Sequence, residues 1–129
     1  MFKEPIKQPR EIVDEGILTG ASRLTNEKVR RVINEVIKSE TGARLKTYVD
    51  TCIHCGLCSE GCHYYMSHDK DPIYSPAGKV KQTIWKMLYK KGDVGVEEIK
   101  RMAEIAATEC NLCRRCAMYC PFGIDVAYL

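Results

Sequence analysis

The sequence has no long hydrophobic run and few aromatic side chains. Aromatic residues account for 8% of the 129 residues, with one Trp and two Phe. No stretch approaches the roughly 18 consecutive apolar residues of a membrane-spanning helix. The start, Met1 to Pro5, lacks the apolar core of a secretory peptide. We therefore expect neither a membrane span nor a secretory signal within this chain.

The chain also lacks a strong excess of one charge. Lys and Arg total 20 against 17 Asp and Glu, a formal net charge of +3. This balance alone does not indicate nucleic acid or an anionic membrane as a partner. The sequence contains no Ser/His/Asp grouping, paired-carboxylate motif, P-loop or G-x-G-x-x-G pattern. The length of 129 residues predicts about one domain, and no catalytic motif of its own is seen in the sequence.

Cysteine is the residue type that decides the class of protein. Eight cysteines form two groups with the same spacing, C-x2-C-x2-C-x3-C, separated by residues 63–109. The groups are Cys52, Cys55, Cys58 and Cys62, and Cys110, Cys113, Cys116 and Cys120. Without its cysteines the chain is roughly 39% apolar, which is little for a small domain, so we expect disulfides or bound metal to stabilise it. In a reducing cytosol metal is favoured over disulfides.

The spacing favours two [4Fe-4S] clusters over zinc. Three cysteines at successive two-residue gaps surround one small object, and in the two-cluster version of this run the fourth cysteine ligates the other cluster. Structural zinc usually takes pairs of cysteines, so each triplet would leave one thiolate surplus. Disulfides are the remaining alternative. The spacing predicts cluster I on Cys52, Cys55, Cys58 and Cys120, and cluster II on Cys110, Cys113, Cys116 and Cys62.

Other polar residues near the cysteines have two interpretations each. The three histidines, His54, His63 and His68, are interpreted as surface or packing residues rather than ligands, because the thiolate sets are complete. Five lysines between the groups form either a solvated face or a docking patch for an acidic redox partner. They are Lys79, Lys81, Lys86, Lys90 and Lys91.

Apolar periodicity between and before the cysteine groups is helical, and no strand alternation is present, so the sequence predicts an all-α fold. Residues 1–24 are expected to form an extended arm. A helix is expected from a cap at Thr25 or Asn26 to a stop at Gly42. This helix either packs on the domain or docks on a partner subunit. Two further helices are expected, from Ser75-Pro76 to about Lys91 and from Val96 into Cys110.

These motifs resemble the α-helical ferredoxin domain, in which helices separate the two cysteine runs. The resemblance covers about Leu45 to Leu129 and includes Ser75-Pro76-Ala77-Gly78-Lys79, similar to the Ser-Pro-x-Gly-Arg/Lys stretch of several members. Such domains occur in the small iron–sulfur subunit of heterodisulfide reductase, in iron–sulfur subunits of succinate dehydrogenase, glycolate oxidase and anaerobic glycerol-3-phosphate dehydrogenase, and in cytoplasmic subunits of sulfite-reduction complexes. The resemblance divides the chain into an N-terminal arm and helix, 1–44, and a ferredoxin domain, 45–129.

The resemblance implies an electron-transfer subunit or domain with two [4Fe-4S] clusters. It would relay electrons between a redox donor and the catalytic or membrane subunit of a heterodisulfide reductase-like oxidoreductase, in anaerobic metabolism. The implied partners are a cysteine-rich catalytic subunit, a flavoprotein or a membrane cytochrome, and the implied location is cytoplasmic with membrane association through a partner. The alternative is a structural or oxygen-sensing iron–sulfur protein without electron relay.

Two arginines inside the second cysteine group generate a first prediction. Arg114 and Arg115 lie between Cys113 and Cys116, and positive charge near a cluster favours its reduction. We expect the double change Arg114→Gln and Arg115→Gln to lower the midpoint potential of cluster II, measured by redox titration. An unchanged potential would mean that solvent screens both charges.

Overall fold

The computed structural model describes residues 14–129, and among these residues it contains helices and no strand. The all-α prediction is confirmed. The first 13 residues of the predicted arm lie outside the described residues. The helices are α1 (Glu15–Ser22), α2 (Asn26–Lys38), α3 (Glu40–Thr51), α4 (Leu57–Glu60), α5 (His63–Ser67), a 3-10 turn (Pro72–Tyr74), α6 (Pro76–Gln82), α7 (Ile84–Tyr89), α8 (Val96–Thr108) and α9 (Arg115–Tyr119).

Two predicted helix starts are confirmed by their caps. The Thr25 hydroxyl accepts a hydrogen bond from the Lys28 amide at 3.3 Å, which starts α2. The Ser75 hydroxyl accepts one from the Gly78 amide at 3.0 Å, with Pro76 in the first turn of α6. In each case the side chain satisfies an amide that has no partner within the helix.

Three predicted boundaries are wrong. Residues 15–22 form α1 rather than an extended arm, because the Asp14 carboxylate accepts from the Ile17 amide and caps it. The helix that begins after Thr25 ends at Ser39, not Gly42; Ser39 also caps α3. Gly42 lies inside α3, where a Cβ would be 2.2 Å from the Ile37 carbonyl oxygen. A glycine is therefore needed for the close approach of α2 and α3 rather than for a helix end.

The third wrong boundary lies in the predicted helix from Ser75 to Lys91, which is interrupted at Thr83. Thr83 has φ −114° and ψ −99°, outside the helical region, and separates α6 from α7. Its hydroxyl donates a hydrogen bond to the Lys79 carbonyl at 2.8 Å. A threonine hydroxyl that bonds back to the preceding turn is a recognised cause of helix bending.

The N-terminal helices pack on α8. Val29 of α2 and Ile105 of α8 are buried, and Val94, in the turn that leads into α8, is almost fully buried. The Asn26 side-chain oxygen accepts from the Val96 amide at 2.9 Å, so a residue of α2 caps α8. Of the two interpretations of the α2 helix, packing on the domain is confirmed.

Glu98 stabilises the start of α8. Its carboxylate accepts from the Gly95 amide at 2.9 Å and from the Lys90 ammonium at 2.8 Å. The Lys90 hydrogen bond, followed by the Gly95 amide, lowers the pKa of Glu98 to about 2. Because the folded-state pKa lies below the ordinary value of 4.5, this stabilisation is complete above that pH and is lost as the pH falls towards 2.

Replacing Glu98 should therefore cost more stability than replacing its neighbour. We expect Glu98→Ala to lower the free energy of unfolding at pH 7 by about 1 kcal/mol. Glu97→Ala is the matched control; the Glu97 side chain is 81% exposed and forms an i,i+3 ion pair with Lys100, so we expect a loss of about 0.3 kcal/mol. Urea unfolding of the anaerobic protein, followed by far-UV circular dichroism, measures both. Equal losses would contradict the role of Glu98.

Candidate metal centres

The two cysteine groups fold as a structural repeat. In the first, His54 (φ 55°) and Gly56 (φ 84°) adopt the left-handed conformation immediately before α4. In the second, Leu112 (φ 56°) and Arg114 (φ 60°) do so immediately before α9. Non-glycine residues rarely adopt this conformation, so its recurrence at matching positions indicates that each loop is shaped to wrap around an object.

The two repeats pack directly against each other through α4 and α9. Gly61 follows α4, and a Cβ there would be 2.8 Å from the ring of Tyr119 in α9. A larger residue at 61 would therefore push the two helices apart. This close contact brings cysteines that are far apart in sequence into one region.

Two cavities lie beside these loops, and each is lined by cysteines of both groups. The first cavity, cavity I, is lined by Cys52 and Cys58 of the first group and Cys120 of the second. The second, cavity II, is lined by Cys110, Cys113 and Cys116 of the second group and Cys62 of the first. The fourth cysteine of each group thus faces the cavity of the other group. Cys55, the remaining cysteine, is exposed.

The donor set fits iron–sulfur clusters better than a single ion. Among residues 14–129, no three His, Cys, Asp or Glu side chains are close enough to hold one metal ion. The cysteines instead surround two separate spaces, and thiolates are the ligands that hold [4Fe-4S] clusters. Apolar side chains complete cavity I, including Ala77, Val80 and Trp85. Such an apolar wall limits water access, which is one of the factors that set a cluster's potential.

Burial raises the pKa of two of these thiols. It raises the pKa of Cys116 to about 11, and the neighbouring sulfurs of Cys58, Cys110 and Cys62 raise it further. Burial also raises the pKa of Cys58, with smaller contributions from Cys52 and Cys120. Metal ligands must be deprotonated, so iron binding must displace protons from these sulfurs.

The segment after the last cysteine closes both cavities. Val126 lines cavity I and cavity II, so it forms part of the wall between them. The ring of Tyr128 packs edge-on against Tyr48 of α3, with ring centres 6.0 Å apart. The Asp125 carboxylate lies 3.2 Å from Nε of Arg114, which is otherwise exposed. The proposed effect of Arg114 on cluster II stays a prediction, and this partner partly offsets its charge.

The histidines pack on neighbouring rings or lie near a cysteine. Nδ1 of His68 donates to the Tyr64 carbonyl at 2.8 Å, and its ring stacks on Tyr74 with ring centres 3.9 Å apart. The His63 ring lies tilted at 39° against the Tyr64 ring, with ring centres 4.6 Å apart. Nδ1 of His54 lies 3.8 Å from the Cys52 sulfur. The packing interpretation is confirmed for His68. His54 lines cavity I and the exposed His63 lines cavity II, so the interpretation of these two histidines as non-ligands stays a prediction.

Lys79 lies near the site, in a position that differs from the sequence prediction. The sequence predicts a solvated basic face or docking patch that includes Lys79, Lys81 and three other lysines, but Lys79 is only 5% exposed. Its ammonium lies 3.9 Å from the Cys62 sulfur and donates to the Glu109 carbonyl. Ser75 and Pro76, four and three residues before Lys79 and so on the same side of the helix, are buried too.

No helix within residues 14–129 is long and apolar enough to cross a membrane.

Two relatives from archaea are each 29% identical to the chain. An Hdr-like menaquinol oxidoreductase iron-sulfur subunit 2 from Archaeoglobus fulgidus aligns over 115 residues, 78% of this chain and 20% of the relative. An Hdr-like menaquinol oxidoreductase iron-sulfur subunit from Archaeoglobus profundus aligns over 100 residues, 68% of this chain and 18% of the relative. The chain therefore spans about a fifth of the length of these relatives.

No solved structure gives a significant match. The family pattern of the 4Fe-4S dicluster domain matches residues 48–124, which include all eight cysteines and the helices between them. Two [4Fe-4S] clusters are the cofactors that this domain implies, in agreement with the prediction from spacing. The chain belongs to the 4Fe-4S dicluster domain family.

Proposed function

We propose that this chain relays electrons through two [4Fe-4S] clusters within a heterodisulfide reductase-like oxidoreductase complex. Cluster I is held by Cys52, Cys55, Cys58 and Cys120, and cluster II by Cys110, Cys113, Cys116 and Cys62. The observation that supports this assignment is that Cys120 lines cavity I and Cys62 lines cavity II. In this assignment each cluster takes three cysteines from one group and its fourth cysteine from the other group.

The protein supplies the arrangement for this transfer. When bound, [4Fe-4S] clusters supply one-electron transfer. Val126 lines both cavities, so the two sites are neighbours. Four thiolates per cluster leave no open iron for substrate, which supports relay rather than catalysis as the task of this chain.

The partners are proposed from the relatives. Both are iron–sulfur subunits of Hdr-like menaquinol oxidoreductases, so we place this chain beside other redox subunits: a cysteine-rich catalytic subunit, a flavoprotein or a membrane cytochrome. The proposed location is cytoplasmic, with membrane association through such a partner. The structural or oxygen-sensing alternative is not favoured by relatives that are named as oxidoreductase subunits.

The proposed division of the chain follows the site. Every residue that lines cavity I or cavity II lies between Tyr48 and Leu129, which supports residues 45–129 as the cluster-binding unit. Residues 1–44 then form an additional segment whose described helices, α1 and α2, pack on α8.

Serine variants test which cysteines share a cluster. We expect Cys120→Ser to change the electron paramagnetic resonance signal of the same reduced cluster as Cys58→Ser. We expect Cys62→Ser to change the signal that Cys116→Ser changes. Iron and sulfide counts on anaerobic protein accompany each spectrum. If Cys120→Ser groups with Cys116→Ser instead, each loop ligates its own cluster and the exchange of fourth cysteines is wrong.

Redox titration tests relay against a structural role. We expect both clusters of the anaerobic full chain to be reduced by dithionite and reoxidised over repeated cycles, with unchanged far-UV circular dichroism. Subunits that co-purify anaerobically with the chain should reoxidise it. Metal that cannot be reduced, or that is lost on the first reduction, would favour a structural or sensing protein.

A further inference from the structure

Lys79 is a buried cation beside a cysteine that we assign to cluster II. It belongs to α6, and the side chain crosses to the second cysteine group rather than to solvent. Its Nζ lies 3.9 Å from the Cys62 sulfur and 4.7 Å from the centre of the Tyr64 ring. It also donates to the carbonyl of Glu109, the residue before Cys110. The ammonium thus reaches both of the cysteine-bearing segments beside cavity II.

No carboxylate within residues 14–129 forms an ion pair with this ammonium. The carboxylate of Glu109, whose carbonyl Lys79 contacts, is taken by Arg101, at 2.6 Å from Nη1. The other contacts of Lys79 are a carbonyl oxygen and an aromatic ring, both uncharged. A buried charge is costly unless an opposite charge is near, and the Cys62 sulfur is the contact that can supply one.

We propose that Lys79 raises the midpoint potential of cluster II through its charge and its hydrogen bond to the Cys62 sulfur. One-electron reduction adds one negative charge to a cluster, and a nearby ammonium stabilises the reduced state more than the oxidised state. Hydrogen bonds to ligating sulfurs and local net charge are known determinants of cluster potential. This inference rests on the proposed assignment of Cys62 to cluster II.

Cavity I has a different cationic environment. Its lining includes Lys81, but Lys81 is exposed and its ammonium lies 6.0 Å from the Trp85 ring centre. Solvent screens an exposed charge far more than a buried one. Lys79 therefore makes cluster II the higher-potential site, where an electron shared between the two clusters resides longer.

The decisive measurement is a redox titration of the anaerobic full chain, monitored by electron paramagnetic resonance, with Cys113→Ser used to assign the cluster II signal. We expect Lys79→Met to shift the reduction equilibrium of cluster II at least tenfold towards the oxidised state, a fall of 59 mV for a one-electron couple. Lys79→Arg, which keeps the charge, should stay close to the unmodified protein. Lys86→Met, a control with the same charge change on a residue that lines neither cavity, should shift neither cluster.

A purely structural role of Lys79 predicts a different result. The proposal is overturned if the Lys79→Met protein retains two clusters per chain and both midpoint potentials are unchanged. If Lys79→Met loses iron, a second measurement replaces its redox titration. This measurement is pulsed electron paramagnetic resonance on the unmodified chain, labelled with 15N at the lysine Nζ. Coupling of 15N to reduced cluster II that is absent in Lys79→Arg supports the contact, and no coupling overturns it.

The serine variants distinguish this failure from failure of the ligand assignment. If Cys62→Ser leaves the cluster II signal unchanged, Cys62 is not a ligand, and both the assignment and the Lys79 inference are wrong. If Cys62→Ser changes that signal while Lys79→Met does not shift the potential, the assignment holds and the Lys79 inference alone fails.

Discussion

The proposed sharing of cysteines between two loops is the constraint on which the rest of this structure depends. Cys120 lines the cavity beside the first loop and Cys62 lines the cavity beside the second. The intervening residues, 63–109, must therefore return the chain to its starting point. Helices α5 to α8 make this return, and their breaks at Thr83 and at the turn before Val96 keep it short. The helical scaffold serves to hold two distant segments side by side.

The packing of α4 against α9 constrains the fold as much as the cysteine ligands do. α4 and α9 are too short to be stable alone, so the left-handed residues before them and their mutual packing must hold them in place. Gly61 allows that packing because it leaves room for the Tyr119 ring. At the equivalent left-handed position the first loop uses Gly56 and the second uses Arg114, and Arg114 has an ion pair with Asp125.

The chemistry of this protein could be predicted from cysteine spacing, because ligand number and gaps follow from the cofactor. The helix cap at Ser75 could also be predicted from the sequence, because it depends on neighbouring residues alone. Three features could not be predicted: the interruption at Thr83, the α2–α3 turn at Ser39 and the burial of Lys79. Each depends on a backbone bond or a partner that no apolar pattern records. Lys79 is the clearest case: a lysine on a helix is normally solvated, and only the fold shows that Cys62 and Glu109 lie next to it.

The wall that divides the two cavities also bears on biosynthesis. Cys52 and Cys58 leave the ribosome long before Cys120, which completes the lining of cavity I, and Val126 follows later still. During translation the first loop emerges before Cys120 and Val126, which line the same cavity. The lining of cavity I is therefore complete only after the segment around residue 126 has emerged.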